Sequence, residues 1–224
     1  ISEKLMDLDI EVTRHTCVAD DLDALTAVRV EIGSRADMAL VTGGLGPTRD
    51  DLSAEAAAAA AGTRLEKNRQ AVAYLEGFFE KFNRQPSASD YKQALLPENA
   101  EPLFNARGTA PGFCITIGKC RFYFMPGIPA EMDAMLSEQV IPEIQSRLQP
   151  PDQFRRMRTL STFGLPEARV NDSLSGLSYH CPGLRYGLLA RFPVIYIKLS
   201  AAGKDPEQLP ADLEKGVSWV GEIL

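Results

Sequence analysis

Residues 42–51 read Thr42-Gly43-Gly44-Leu45-Gly46-Pro47-Thr48-Arg49-Asp50-Asp51, which sets three glycines and a mobile cation beside two adjacent carboxylates. Without Cβ atoms, the glycines let the backbone adopt φ > 0 and approach a ligand closely, with successive N–H groups turned inward as an anion nest. Carboxylates beside a phosphate are chemically sensible when a divalent cation lies between them, as when magnesium is held by one or two carboxylates plus phosphate oxygens. The string therefore reads as a phosphate-handling turn with Asp50 and Asp51 as candidate metal ligands. A competing reading is a tight strand-to-helix turn whose acidic residues only favour the start of a helix.

The flanking residues supply the positioning elements. Ala36 to Val41 is an apolar strand and Ala54 to Ala61 an alanine helix, so the turn lies at the carboxyl end of a strand, where open α/β sheets bind ligands. Ser53 is expected to cap the helix, whose first N–H groups add partial positive charge. The glycine spacing is not G-x-G-x-x-G, and the turn lacks the Gly-Lys-Ser/Thr ending of a P-loop.

Composition narrows the classes further. At 224 residues the chain accommodates one large or two smaller domains, and 45% hydrophobic with 24% charged residues is ordinary for a globular protein. A net charge of −6 argues against nucleic-acid and anionic-membrane partners. No apolar run is long enough to span a bilayer, so a cytoplasmic location is expected. Cys17, Cys114, Cys120 and Cys181, with His15 and His180, show no metal-ligand spacing, which argues against structural zinc and a disulfide framework.

Periodicity predicts the remaining elements. Ile1 to Leu8 reads as part of an amphipathic helix and Glu11 to Val18 as a strand. A helix over 20–33 carries Leu22, Leu25, Val28 and Ile32 on its apolar stripe. A longer helix over 66–83 places Tyr74, Phe78 and Phe82 on one face, as core or a subunit contact, and a short helix follows over 90–95. Phe113–Ile117 and Arg121–Met125 are strands joined by a hairpin, followed by a helix over 130–148. The expected architecture is a three-layer α/β/α domain with a mostly parallel sheet over 1–149. The break Gln149-Pro150-Pro151-Asp152 then leads into a small α+β domain over 150–224, with a β-α-β-β-α order. Its polar residues Glu167, Arg169, Arg185 and Arg191 form a solvated face or help close the first domain's site.

The signature turn resembles that of the MoaB/Mog (molybdopterin-binding) fold in the form carried by the CinA family. Two further blocks match in order. These are Gln93-Ala94-Leu95-Leu96-Pro97 followed by Asn105-Ala106-Arg107-Gly108-Thr109-Ala110-Pro111-Gly112-Phe113, and Met125-Pro126-Gly127-Ile128-Pro129-Ala130-Glu131-Met132. Members of that family open with a strand and a Gly-Asp-Glu-Leu type turn, which this chain lacks. The expectation is that the native protein extends upstream of Ile1. A C-terminal amidohydrolase module, present in many members, is not assigned to this chain.

The resemblance implies an ADP-ribose pyrophosphatase that uses Mg²⁺, Mn²⁺ or Co²⁺ to form AMP and ribose 5-phosphate. Asp51 is the first choice for metal ligand, and Asp50 the second, as ligand or general base. The amides of Gly43, Gly44 and Gly46, with Thr42, Pro47 and Thr48, would cradle a phosphate. Asn105, Gly108, Thr109, Pro126, Gly127 and Glu131 would wall the pocket. Asn105 and Glu131 also fit as a turn stabiliser and a helix-start carboxylate. Arg49 and Arg107 fit transition-state stabilisation or a surface role, and Gln93 a ligand contact or a bond to loop backbone. Rival functions are molybdopterin binding or adenylylation, and a non-catalytic module assembling as a homodimer or other homo-oligomer.

Overall fold

The runs Gly112–Ile117 and Cys120–Met125 are mostly apolar, with Phe113, Ile115, Phe122 and Phe124 on one face, a pattern that suits strands inside a covered sheet. The computed structural model, which describes residues 1–6, 8, 10–147 and 154–224, places both in the middle of a four-stranded sheet. The chain divides into two compact units, one of Arg14–Arg147 and one of Ile1–Thr13 with Leu148–Leu224. The proline-rich break at 149–152 lies outside the described residues.

Helix α1 (Ser2–Met6) belongs to the smaller unit. The larger begins with α2 (Leu22–Arg35), β1 (Met38–Thr42) and α3 (Ser53–Ala61), continuing through β2 (Leu65–Lys67) and α4 (Arg69–Glu80). After a 3₁₀ turn at Asp90–Ala94 come β3 (Leu95–Pro97), β4 (Glu101–Leu103), β5 (Gly112–Ile117) and β6 (Cys120–Met125). It ends with α5 (Pro129–Met135), a π turn at Leu136–Val140 and α6 (Ile141–Arg147).

The sheet order is β1-β6-β5-β4, and β2 pairs separately with β3. Phe113, Ile115, Phe122 and Phe124 face α2, α3 and α4, packing with Ile32, Ala57 and Ala71. Phe113 and Phe124 stack with centroids 4.4 Å apart and no exposed surface. Truncating either to alanine would cost about 3–5 kcal/mol. On the opposite face, Gly112 lies against Met135 and Cys114 against Glu143. The three-layer α/β/α architecture follows.

The mostly parallel sheet expected from the alternation of elements is corrected: β1 and β6 run parallel, whereas β6–β5 and β5–β4 are antiparallel. Strands 113–117 and 120–125 are joined by a tight turn with Gly118 at φ 60°, and so short a connection permits only antiparallel neighbours. The strand expected over 11–18 does not form, and most of its side chains are exposed. The helix expected from 66 starts at Arg69, because Asn68 Oδ1 accepts from the Gln70 and Ala71 N–H groups at 3.1 Å. The helix expected over 130–148 contains the π turn, where the Ile141 N–H donates to Leu136 O. Pro142 follows, with no N–H to continue an α-helical ladder.

The smaller unit holds β7 (Phe154–Phe163), α7 (Glu167–Leu174), α8 (Leu177–His180), β8 (Leu184–Arg191), β9 (Val194–Gly203) and α9 (Gln208–Ile223). Its antiparallel sheet, β7-β9-β8, buries Ile195, Ile197 and Leu199 against Val170, Leu174, Leu209 and Leu213. Gly216 brings α9 close to Leu184, where a Cβ would clash. Glu3 of α1 pairs with Lys198 at 3.7 Å. Glu167, Arg169, Arg185 and Arg191 are exposed.

Candidate active site

Strand β1 delivers the glycine turn. Gly43 and Gly44 take φ of 92° and 67°, a region that side chains with Cβ rarely adopt. The Gly43 N–H donates to Met125 O at 3.0 Å, and a Cβ on Gly127 would lie 3.3 Å from Gly43 Cα. The Pro126-Gly127 turn is thereby packed onto the signature turn. Ser53 holds the turn from behind, its hydroxyl donating to Gly43 O at 2.9 Å and its N–H to Gly44 O at 3.0 Å. The expected capping role of Ser53 is corrected: it is the first helical residue, Leu52 takes the cap position, and the hydroxyl is engaged by the turn instead.

Because a trans peptide points its N–H opposite its C=O, tying the Gly43 and Gly44 carbonyls to Ser53 turns the next two N–H groups away from it. Among the described residues, the Gly44, Leu45 and Gly46 N–H groups donate to no protein atom. Such amides in a turn with φ > 0 form an anion-binding concavity.

The acidic end of the turn is organised by Thr48. Its N–H donates to Asp51 Oδ2 at 2.9 Å, and its hydroxyl lies 2.6 Å from that oxygen and within hydrogen-bond reach of Asp50 Oδ1. One hydroxyl has one proton, so two carboxylate oxygens and the Thr48 oxygen crowd together with too few hydrogens to separate them. The donor set suits a hard divalent cation, which takes oxygen ligands of this kind. The Thr48 hydroxyl lowers the pKa of the Asp50 carboxyl below the usual carboxylate value, with further contributions from its own backbone and the Lys92 charge. Gly46 leaves room for the carboxylate, since a Cβ would come within 2.6 Å of Asp51 Oδ2.

A second cluster joins the other two blocks. Buried Asn105 donates to Glu131 Oε2 at 2.7 Å and to Ala110 O at 3.1 Å, while its Oδ1 accepts from the Arg107 N–H at 3.1 Å. Gly108 lets the Glu131 carboxylate close in, as a Cβ there would lie 2.6 Å from it. Tyr74 donates to Gly108 O at 3.2 Å, so this member of the α4 aromatic face fastens a turn, whereas Phe82 is 63% exposed. Segment 126–131 touches both clusters, through Gly127 and through Glu131.

The other candidates contribute no side chain to these two clusters. Arg49 and Pro47 are exposed, Thr42 is exposed at the end of β1, and Thr109 is half-buried. Arg107 reaches Ala130 O at 3.5 Å. Gln93 is buried, with neither amide atom partnered among the described residues. Its neighbour Lys92 instead reaches the turn, donating to Thr48 O and to Asp51 O, the latter at 2.9 Å. Lys92 escaped the sequence reading because it lies more than 40 residues from its partners in the chain. Arg29 was also missed. Its signal was a charge at the i+4 position from Leu25, on the helix face that turns inward.

Glu101, Cys114 and Glu143 bring three ligand atoms within 4.8 Å of one another, but Arg121 fills this cluster. Its Nη2 lies 2.8, 2.9 and 3.0 Å from Glu101, Cys114 and Glu143. Burial pushes the Cys114 thiol up to about 12, against the lowering influence of Arg121. All four cysteines are free thiols.

These features define an α/β domain of the molybdopterin-binding, MoaB/Mog-like class. A family model described as a probable molybdopterin binding domain matches residues 1–146. A CinA-like protein of Desulfosudis oleivorans is 43% identical over 220 residues, covering 98% of this chain and 53% of that protein. One from Geobacter metallireducens is 39% identical over 226 residues, covering 100% and 54%. The chain spans about half the length of these curated relatives. The crystal structure of the protein CinA, of unknown function, from Thermoplasma acidophilum aligns with a TM-score of 0.57. It is 31% identical, over 63% of this chain and 83% of that one. The chain belongs to the CinA family. Among the described residues no helix is long and apolar enough to cross a membrane.

Proposed function

We propose that this chain hydrolyses the phosphoanhydride of ADP-ribose, with water, to AMP and ribose 5-phosphate. The observation that carries the reading is the pairing of three amides, at Gly44, Leu45 and Gly46, that are unengaged among the described residues, with the adjoining Asp50–Thr48–Asp51 oxygen cluster. Catalysis at phosphorus is mainly positioning and neutralisation of charge. The amides would receive one phosphate, as at other anion nests. Asp51 and Asp50, with the Thr48 oxygen, would hold Mg²⁺, Mn²⁺ or Co²⁺. When bound, such an ion supplies charge neutralisation at phosphate oxygens and lowers the pKa of water.

Lys92 holds the backbone carbonyls of Thr48 and Asp51, at the two ends of the segment that carries both carboxylates. Asn105, oriented by Ala110 and Glu131, and the unpartnered amide of Gln93 are the groups proposed to recognise the nucleoside part. Arg49, exposed beside the acid pair, is proposed to meet charge developing on the transferred phosphoryl group. The test is AMP release from ADP-ribose with each metal, comparing the chain with Asp51→Ala. Metal-dependent turnover that collapses in the variant is expected, and equal turnover in both would overturn the assignment of Asp51.

The family description, a probable molybdopterin binding domain, favours a second reading in which the same turn binds molybdopterin, and transfer of adenylate to that ligand is the reaction proposed with it. AMP-moiety transfer seen only with molybdopterin plus ATP would establish it over the first.

A further inference from the structure

Arg29 is only 2% exposed and projects from the buried side of α2, between Leu25 and Gly33. Its Nη1 donates to Leu25 O at 2.7 Å, its Nη2 reaches Ser53 Oγ at 3.3 Å, and the guanidinium carbon sits 5.4 Å from the centroid of Phe124. Nε has no partner, and no carboxylate pairs with the group among the described residues. Burial alone lowers its pKa to about 10. Holding a cation in an apolar layer without a counter-ion is costly, and a leucine or methionine would pack at this place without that cost.

Ser53 connects the charge to the glycine turn. Ser53 Oγ accepts from Arg29 and donates to Gly43 O, while the Ser53 N–H holds Gly44 O. A hydrogen bond from a guanidinium polarises the hydroxyl it meets and strengthens the next bond in the chain. The two carbonyls so held are those whose orientation turns the Gly44 and Leu45 N–H groups outward. A buried charge is also felt further than a surface charge and is screened less by salt.

We infer that Arg29 is the buried counter-charge for an anion held at the Gly43–Gly46 turn, and a positioning residue for that turn acting through Ser53. The inference rests on the phosphate-binding reading above. The ligand it serves is a phosphate or diphosphate group, whose charge offsets the cost of the buried cation once bound.

The test uses the whole chain, Mg²⁺ and inorganic pyrophosphate, with thermal unfolding and titration calorimetry on wild type, Arg29→Met and Ser53→Ala. Arg29→Met is expected to unfold at or above the wild-type temperature without anion, yet to bind pyrophosphate about tenfold more weakly, or 1.4 kcal/mol. That deficit persists at high salt, because the lost charge is buried. Ser53→Ala keeps the cation and loses the link, and it too binds more weakly.

Wild-type affinity in Arg29→Met, or a lower unfolding temperature accompanying its weaker binding, would show Arg29 to be irrelevant to the anion or merely structural. Should Arg29→Met fail to fold, that outcome counts as the structural role, and Ser53→Ala with wild-type affinity removes the link independently. Absence of pyrophosphate binding by the wild type would overturn the phosphate reading itself, a result distinct from the failure of Arg29 alone.

Discussion

A methyl group at position 46 would lie 2.6 Å from Asp51 Oδ2 and 3.1 Å from its Cγ, well inside contact distance. Gly46 has no positive φ, so the backbone accepts alanine there, and in Gly46→Ala the carboxylate has to yield. Asp51 would give up the Thr48 N–H at 2.9 Å and the Thr48 hydroxyl at 2.6 Å. In this exposed loop, losing those bonds costs about 1 kcal/mol, and the reduced freedom of the unfolded chain returns roughly 0.5 kcal/mol. For a chain of this size the unfolding temperature would fall by about 2 °C or less. Function responds more strongly, since displacement of a positioned group by about 1 Å can cost 100-fold.

Calorimetric titration with Mn²⁺ and metal-dependent ADP-ribose hydrolysis should therefore both collapse in a protein whose circular dichroism and melting are near wild type. Wild-type kcat/KM in Gly46→Ala would refute the placement of Asp51 in the site. Loss of activity together with a fall of 10 °C or more in Tm, far beyond the roughly 2 °C allowed above, would refute the separation of site from fold.

The second cluster and the thiols yield further expectations. In Gly108→Ala the new Cβ meets the Glu131 carboxylate, breaking its 2.7 Å bond to buried Asn105. A loss of about 1–3 kcal/mol is expected, read by urea unfolding, and an unchanged midpoint would contradict the close packing of Gly108 on Glu131. Thiol reagents at pH 8 should modify exposed Cys17 in the native protein while leaving Cys114 and Cys120 untouched, as burial raises these two to about 12 and 11. The thiolate is the reactive form, so reaction of the buried pair should await unfolding, and mass spectrometry of labelled peptides checks the order.

Much of this architecture was legible locally. The glycines at 43, 44 and 46, the apolar strand before them and the alanine helix after them declare a strand-turn-helix unit through backbone freedom and periodicity, both properties of neighbouring residues. Asp50 and Asp51 were legible as an acidic pair for the same reason, and Asn105, Gly108 and Glu131 through their short motifs. The strand expected over 11–18 failed because alternation specifies a strand only when one face has something to bury against, and here most side chains remain in water. Helix α4 starts later than periodicity suggests because the Asn68 cap outweighs the helical propensity of the residues before it.

Local sequence thus sets the individual units and the chemistry each can offer: a nest of amides, a pair of carboxylates, a hairpin too tight to be anything but antiparallel. How those units meet was settled by packing between elements distant in the chain. Which strands lie side by side depends on burial of both faces of Phe113–Ile117 and Cys120–Met125, summed over helices distant in the chain. Lys92 came to clamp Thr48 and Asp51, and Arg29 came to lie behind Ser53, only when packing fixed the 3₁₀ turn and α2 around the loop. Periodicity reports which face of an element is apolar, but the partner that a charged side chain finds on that face is set by three-dimensional proximity, which no local pattern encodes.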